Sequence, residues 1–338
     1  MTDSLQRICE NYIASRDVVK KTFKLEYSAI YPVCANLFAA RGKIADHETL
    51  ASCKALLKEK TGLFSNFRGT LAAPVSTMMA VSGAPERTLD EAIENYAVLK
   101  KHFWGSEYLA LVAFLLADMG VSSQVEERAA RGKAIYKRMK ESHPFLTSQE
   151  DSVFAVLMAF SERSDDELVE EMESVYELCK SRFSRSNATQ AVSHVLALSP
   201  GEAEQKAQRL MDLYDAIKAS GGKYGKHFEL PTLAALSVLD VPIETLVSEL
   251  LEVDAFLSQQ KGYGMLSVDK KTRMMHAAML VTDVHEPEAV RSPLSDTALR
   301  SAPVASTLAL IAAQQAALCA AIVASSSASS AAASSGSH

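Results

Sequence analysis

Five windows of the sequence decide the fold: NYAVLKKH (95–102), IYKRMKES (135–142), VYELCKSR (175–182), LYDAIKAS (213–220) and VDAFLSQQ (253–260). Their second residues are Tyr96, Tyr136, Tyr176, Tyr214 and Asp254, at steps of 40, 40, 38 and 40 residues. Three places further on stand Leu99, Met139, Cys179, Ile217 and Leu257, all apolar. One place before stand Asn95, Ile135, Val175, Leu213 and Val253, of which only the first is polar. A fixed period near 40 with a fixed apolar column reads as an array of helix pairs. The expected fold is therefore all-α, an array of antiparallel helix pairs forming an α-solenoid, with closure toward an α/α toroid as its variant.

Around these windows two kinds of helix alternate. Amphipathic outer helices are expected over 88–102, 123–142, 165–182, 200–219 and 242–260. Thr88 with Glu91, Ser123 with Glu126, Ser164 with Glu167 and Ser199 with Glu202 each place a hydroxyl three residues before a glutamate, the pattern of a capping box. Pro200 and Pro242 suit a first helical position, where no N–H is needed. The inner helices are apolar almost all round: LALVAFLLA (109–117), VFAVLMAF (153–160), AVSHVLAL (191–198), LPTLAALSVL (230–239) and MMHAAMLV (274–281). Such helices are buried on most sides, and all are shorter than the roughly 20 apolar residues a bilayer requires.

The chain divides into an N-terminal helical cap (1–61), the helical-repeat array (62–284), a linker (285–302), an Ala-rich helix (303–324) and a Ser/Ala tail (325–338). The cap holds helices over 4–22, 26–41 and from Asp46. The 303–324 helix is expected to cover the last unit of the array, around 267–283. Self-association through 303–324 ranks second, and membrane attachment third, because Gln314, Gln315 and many alanines weaken the drive into lipid.

Composition narrows the function. Of 338 residues 48% are apolar and 22% charged, ordinary for a globular protein. A net charge of −6 without a dense Lys/Arg run argues against nucleic acid as a partner. The start, MTDSLQRICENY, lacks the apolar core of a signal peptide. Five cysteines without a CxxC read as free thiols in a reducing compartment, so a cytoplasmic location is expected.

Several phrases together carry a resemblance: TGLFSNFRG (61–69), SEYLALVAFLLAD (106–118), YKRMKESHPFLTSQED (136–151), LSVDKKTRMMHAAMLV (266–281), and IAAQQAA (311–317) with AAIVASSSASSAAASS (320–335). Over roughly residues 1–330 the chain resembles an uncharacterised family, domain of unknown function 4003, found mainly in Firmicutes. The resemblance implies a Gram-positive, cytoplasmic protein whose Ser/Ala tail belongs to the natural chain. It brings no activity, cofactor or catalytic residue.

No catalytic, cofactor or metal motif stands out. His194 and His276 lie inside apolar inner helices and read as core histidines bonded to a neighbour. Glu107, Glu150, Asp151, Glu229 and Asp269 could converge for acid–base work, but acidic groups are also expected at helix starts, where they meet the positive end of the dipole. Lys270, Lys271 and Arg273, with Arg68 and Arg185, could hold an anion, although solvated surface is the commoner reading. KGYG (261–264) and GGKYG (221–225) read as turns.

Each inner helix follows its outer helix through a loop, so these loops should share one edge. Aromatics stand just before several inner helices: Phe103-Trp104, Phe145, Phe183, Tyr224 and Tyr263. The expected function is non-enzymatic binding of a peptide or protein on this edge, with candidate residues Arg68, Trp104, Glu107, Gln149, Glu150, Asp151, Asn187, Gln190, Glu229, Asp269 and Arg273. The alternatives are an enzyme on an α/α toroid using acidic residues at the inner-helix starts, and a structural protein assembling through its tail.

Overall fold

The computed structural model describes residues 1–24, 28–264 and 268–285. The described residues form fourteen α-helices and two short 3-10 turns, Gly69–Leu71 and Ser122–Gln124, with no strand. The helices are α1 (Asp3–Thr22), α2 (Ile30–Ala40), α3 (His47–Lys60), α4 (Ala72–Ser82), α5 (Pro85–Leu99), α6 (Glu107–Asp118), α7 (Val125–Ser142), α8 (Asp151–Met158), α9 (Asp165–Phe183), α10 (Asn187–Leu198), α11 (Ala203–Ala219), α12 (Leu230–Ser237), α13 (Ile243–Ser258) and α14 (Lys270–His285).

The odd-numbered helices from α3 to α13 bury one stripe and wet the other. By contrast, every residue of α2, α8 and α12 is buried, as is all of α6 after Glu107. Helix α4, AAPVSTMMAVS, was not foreseen: its small and hydroxyl residues give no amphipathic stripe. Pro74 falls in its first turn, where no intrahelical N–H is lost, and Gly83 ends it in the left-handed region at φ 76°.

Each odd helix packs on the even helix that follows it. The even helices also pack on one another, α2 on α4 and so on to α12 on α14, and α14 then packs on α2. The odd helices do the same from α1 to α13, and α13 touches α1. Both successions return to their starting helix. At the seam the Tyr12 hydroxyl lies 2.6 Å from that of Tyr263, which lies 2.8 Å from His276 Nδ1. The Met1 amino group meets Glu252 at 2.6 Å. Helix α14, which holds the apolar segment 274–281, packs on α1 and α2 as well as on α12 and α13. The expected 303–324 helix and 325–338 tail lie outside the described residues.

The columns read from the sequence are the core. Leu99, Met139, Cys179, Ile217 and Leu257 are all buried, as are Asn95, Ile135, Val175, Leu213 and Val253. Asn95 is accommodated because its amide donates to the Ala113 carbonyl and the Ser122 hydroxyl. Each tyrosine of the series packs on a ring from the unit before it: Tyr96 on Phe67, Tyr136 on Phe103, Tyr176 on His143 and Tyr214 on Phe183, with centroids 4.3–5.8 Å apart. Asp254 takes the fifth position and pairs with Arg273 instead.

Of the four expected capping boxes only Ser164 with Glu167 forms. Thr88 lies inside α5, which starts earlier at Pro85, and its hydroxyl donates to the Ala84 carbonyl. Helix α7 begins at Val125 after a 3-10 turn that takes up Ser123. Helix α11 begins at Ala203, leaving Ser199 and Pro200 in the turn before it. Pro242 is the N-cap of α13 and not its first residue. No single helix among the described residues is long and apolar enough to cross a membrane.

Candidate functional site

The two edges where helices meet differ in chemistry. Where an even helix hands over to the next odd one, cations are consumed by helix-end carbonyls. Arg131 donates to the carbonyls of Ala159 (3.0 Å) and Ser161 (2.6 Å) after α8, Lys206 to Leu196 and Ser199, and Arg209 to Ser237, Leu239 and Val241. These charges neutralise the negative ends of the inner helices and are structural.

At the opposite edge, odd helices hand over to even ones through residues that include 61–71, 100–106, 143–150, 184–186, 220–229, 259–264 and 268–269. Ser106 and Ser186 start α6 and α10 by accepting the N–H of Leu109 and Thr189. The loops are also tied to the starts of neighbouring inner helices. Thr70 donates its hydroxyl to Glu107 in the next unit, and Gln190 donates to the Thr147 hydroxyl at 2.8 Å. On this scaffold Leu63, Phe64, Trp104 and Phe145 are 75%, 96%, 86% and 97% exposed. Phe228 is also exposed; of the exposed large apolar side chains described, only Met1 and Ile44 lie elsewhere. Leu63 and Phe64 were not among the residues singled out from the sequence. Their signal was an apolar doublet inside a Gly/Ser/Asn loop, TGLFSNFRG.

The structure sorts the remaining candidates. Arg68 caps α3: its guanidinium donates to the Thr61 hydroxyl at 2.9 Å and to the carbonyls of Lys58 and Thr61. Arg273 grips Asp254 through two bonds of 2.7 and 3.0 Å. Asp269 accepts the N–H groups of Lys271 and Thr272 at the start of α14. Glu107 accepts from Thr70, and Glu150 from the Ser148 hydroxyl. Glu229 is buried, accepts the His227 N–H, and lies where a side chain at Gly225 would clash with it at 2.0 Å. Gln149 and Asn187 are exposed. The carboxylates are thus distributed around the edge on separate local partners.

Asp151, His194 and Gln190 form a buried inlay behind the Phe145 loop. Asp151 accepts the Ser148 N–H at 2.7 Å and holds its other oxygen 3.4 Å from His194 Nδ1, which makes no hydrogen bond. Burial pushes the Asp151 carboxyl up to about 7, against the pull of the Ser148 N–H. Burial pushes His194 down to about 3, so its ring is neutral at pH 7. His194 was read as a bonded core histidine; it is core, but its Nδ1 lacks the expected bond. His276 does have such a partner in Tyr263. Among the described residues no group of three or more His, Cys, Asp or Glu side chains is placed to hold a metal ion.

An all-α chain with a loop edge carrying exposed aromatics is the class that these features define. The chain belongs to the family described as Protein of unknown function (DUF4003), whose model matches residues 17–316. It is similar to the Uncharacterized protein YeaA of Bacillus subtilis (strain 168), with 24% identity over 271 residues covering 78% of this chain and 81% of that one. No solved structure matches the chain.

Proposed function

We propose that the protein is a non-enzymatic helical-repeat module of the cytoplasm that binds a peptide or protein along the edge of residues 61–71, 100–106 and 143–150. The observation that carries the reading is the row Leu63, Phe64, Trp104 and Phe145, held in water on three successive loops. Exposed apolar side chains gathered in one place mark partner surfaces, and large aromatics supply most of the binding energy there. The partner is an extended or helical segment presenting apolar side chains at matching intervals. The architecture beneath is read as seven helix pairs closed into an α/α toroid, supported by the packing of α14 and α13 on α1 and α2. Such a ring holds the three loops in fixed register, which lowers the ordering cost of binding. The acid–base alternative is less favoured because Glu107, Glu150, Glu229 and Asp269 each serve a separate local partner.

Trp104 is the one tryptophan of the chain and so reports on this edge directly. Peptides selected from a random display library against the whole protein should shift Trp104 emission to shorter wavelength on binding. Trp104→Ser or Phe145→Ser should weaken the peptides about thirtyfold or more, the scale of an interface hot spot. Ile44→Ser, at an exposed site elsewhere, should leave affinity unchanged. Selected peptides that bind both loop variants as well as the wild type would remove the edge from consideration.

A further inference from the structure

The same edge carries a second feature on its far side, independent of the aromatic row. Arg182 in the last turn of α9, Lys226 in the 220–229 loop and Lys271 in the first turn of α14 come from three separate elements. Together with Ser184, Tyr214 and Tyr224 they line a cavity of about 460 Å³. We propose that this cavity binds a phosphate monoester.

Arg182 is joined by Asp215, which leaves two ammonium groups, those of Lys226 and Lys271, to repel one another and Arg182 unless a further anion joins them. Burial, then Arg182 and Lys218, push the Lys226 ammonium below its ordinary value, and Asp215 opposes them. The carboxylates nearby are engaged. Asp215 pairs with Arg182, Glu229 takes the His227 N–H, and Asp269 takes the N–H groups of Lys271 and Thr272. Neither Lys226 nor Lys271 has an ion-pair partner among the described residues. Lys226 donates instead to the Arg182 carbonyl at 2.9 Å.

The backbone points the same way. Ser184 ends α9 at φ 74° and ψ 168°, a region that is essentially glycine's alone. It is the one residue other than glycine at positive φ among the described residues, and it lines this cavity. Such strain persists where the surroundings impose it, characteristically at ligand sites.

The ligand class follows from charge and walls. A monoester carries about −1.5 to −2 at pH 7 and three acceptor oxygens, enough to engage two ammonium groups and a guanidinium. A carboxylate would neutralise only one of them. The rings of Tyr214 and Phe183, 5.3 and 5.6 Å from the Lys226 ammonium, and the buried ring of Tyr224 offer apolar walls for the esterified group.

Calorimetric titration of the full chain with phenyl phosphate, inorganic phosphate and benzoate, at constant ionic strength, tests this. Phenyl phosphate should bind. Lys226→Met and Lys271→Met should each weaken it about tenfold or more, the worth of a charge-assisted hydrogen bond. Lys137→Met, an exposed lysine outside the cavity, should not. Lys271 is exposed and Lys226 half-buried, and far-UV circular dichroism verifies that the variants fold. Equal binding of inorganic phosphate would support the site with the free ion as its ligand. Benzoate binding as tightly as phenyl phosphate, no binding at millimolar ligand, or affinity unmoved by the two substitutions would overturn the proposal. None of these outcomes alters the Trp104 experiment.

Discussion

Replacing Asp151 by Asn should remove a large part of the protein's loss of stability with rising pH. Asp151 is buried between the Ser148 N–H and the His194 ring, and its carboxyl sits at about 7 where the ordinary value is 3.8. Burial is the main cause, Glu150 adds to it, and Lys140 and Ser148 oppose it. In the folded chain the group keeps its proton through an interval in which the unfolded chain has lost it. Its contribution is therefore complete below about pH 3.8 and is lost as pH rises through about 7. Three decades of proton affinity correspond to about 4 kcal/mol. Asparagine keeps an acceptor for the Ser148 N–H and has no charge to bury, so the variant lacks this dependence. His194 and His276 act in the opposite sense. Both are pushed down to about 3, so their contribution grows as pH rises from there to about 6.5. Both histidines are present in wild type and variant, so their effects cancel to first order in the difference. Urea denaturation from pH 4.5 to 8.5 should show the variant gaining about 3 kcal/mol on the wild type, mostly between pH 5 and 7. A difference that stays flat across that range would refute the assignment of a buried, protonated Asp151.

Three further outcomes are expected. Ser184→Gly should stabilise the protein by about 0.5–2 kcal/mol, because glycine removes the strain at φ 74° but adds freedom to the unfolded chain; a lower melting temperature would contradict this. Tyr263→Phe strands both the Tyr12 hydroxyl and His276 Nδ1, costing about 1–3 kcal/mol for each, whereas Tyr12→Phe leaves the Tyr263–His276 bond and should cost about 1 kcal/mol. The reverse order in chemical denaturation would show that this chain of bonds does not hold the seam. Leu257→Ala, at a fully buried position of the 40-residue column, should cost about 2–5 kcal/mol by the same measurement, and a cost under about 1 kcal/mol would place that column outside the core.

Much of the fold was legible in the sequence. Helix type and inside-outside placement follow from local chemistry: the apolar column is buried because a 3.6-residue period puts those side chains on one stripe, and α6 is buried because it has no polar stripe to present to water. That Trp104 and Phe145 stand in loops just before apolar helices was legible too, because those helices could be read directly from their composition. Other features depend on partners far away in the chain and leave no local trace. Helix α4 forms because α2, α3, α5 and α6 surround it, although its own sequence has no stripe. Capping boxes at Thr88, Ser123 and Ser199 were equally plausible locally, but packing started those helices at other residues. Whether Asp151 is ionised is set chiefly by its burial, and a ring that packs beside it, that of His194, lies 43 residues away in the chain. The gathering of Arg182, Lys226 and Lys271 spans three elements whose order in the sequence says nothing about distance. The seam is the clearest case: Tyr12 meets Tyr263 across 251 residues, and only tertiary packing brings α1 to α14, because no period along the chain encodes where its succession of helices ends.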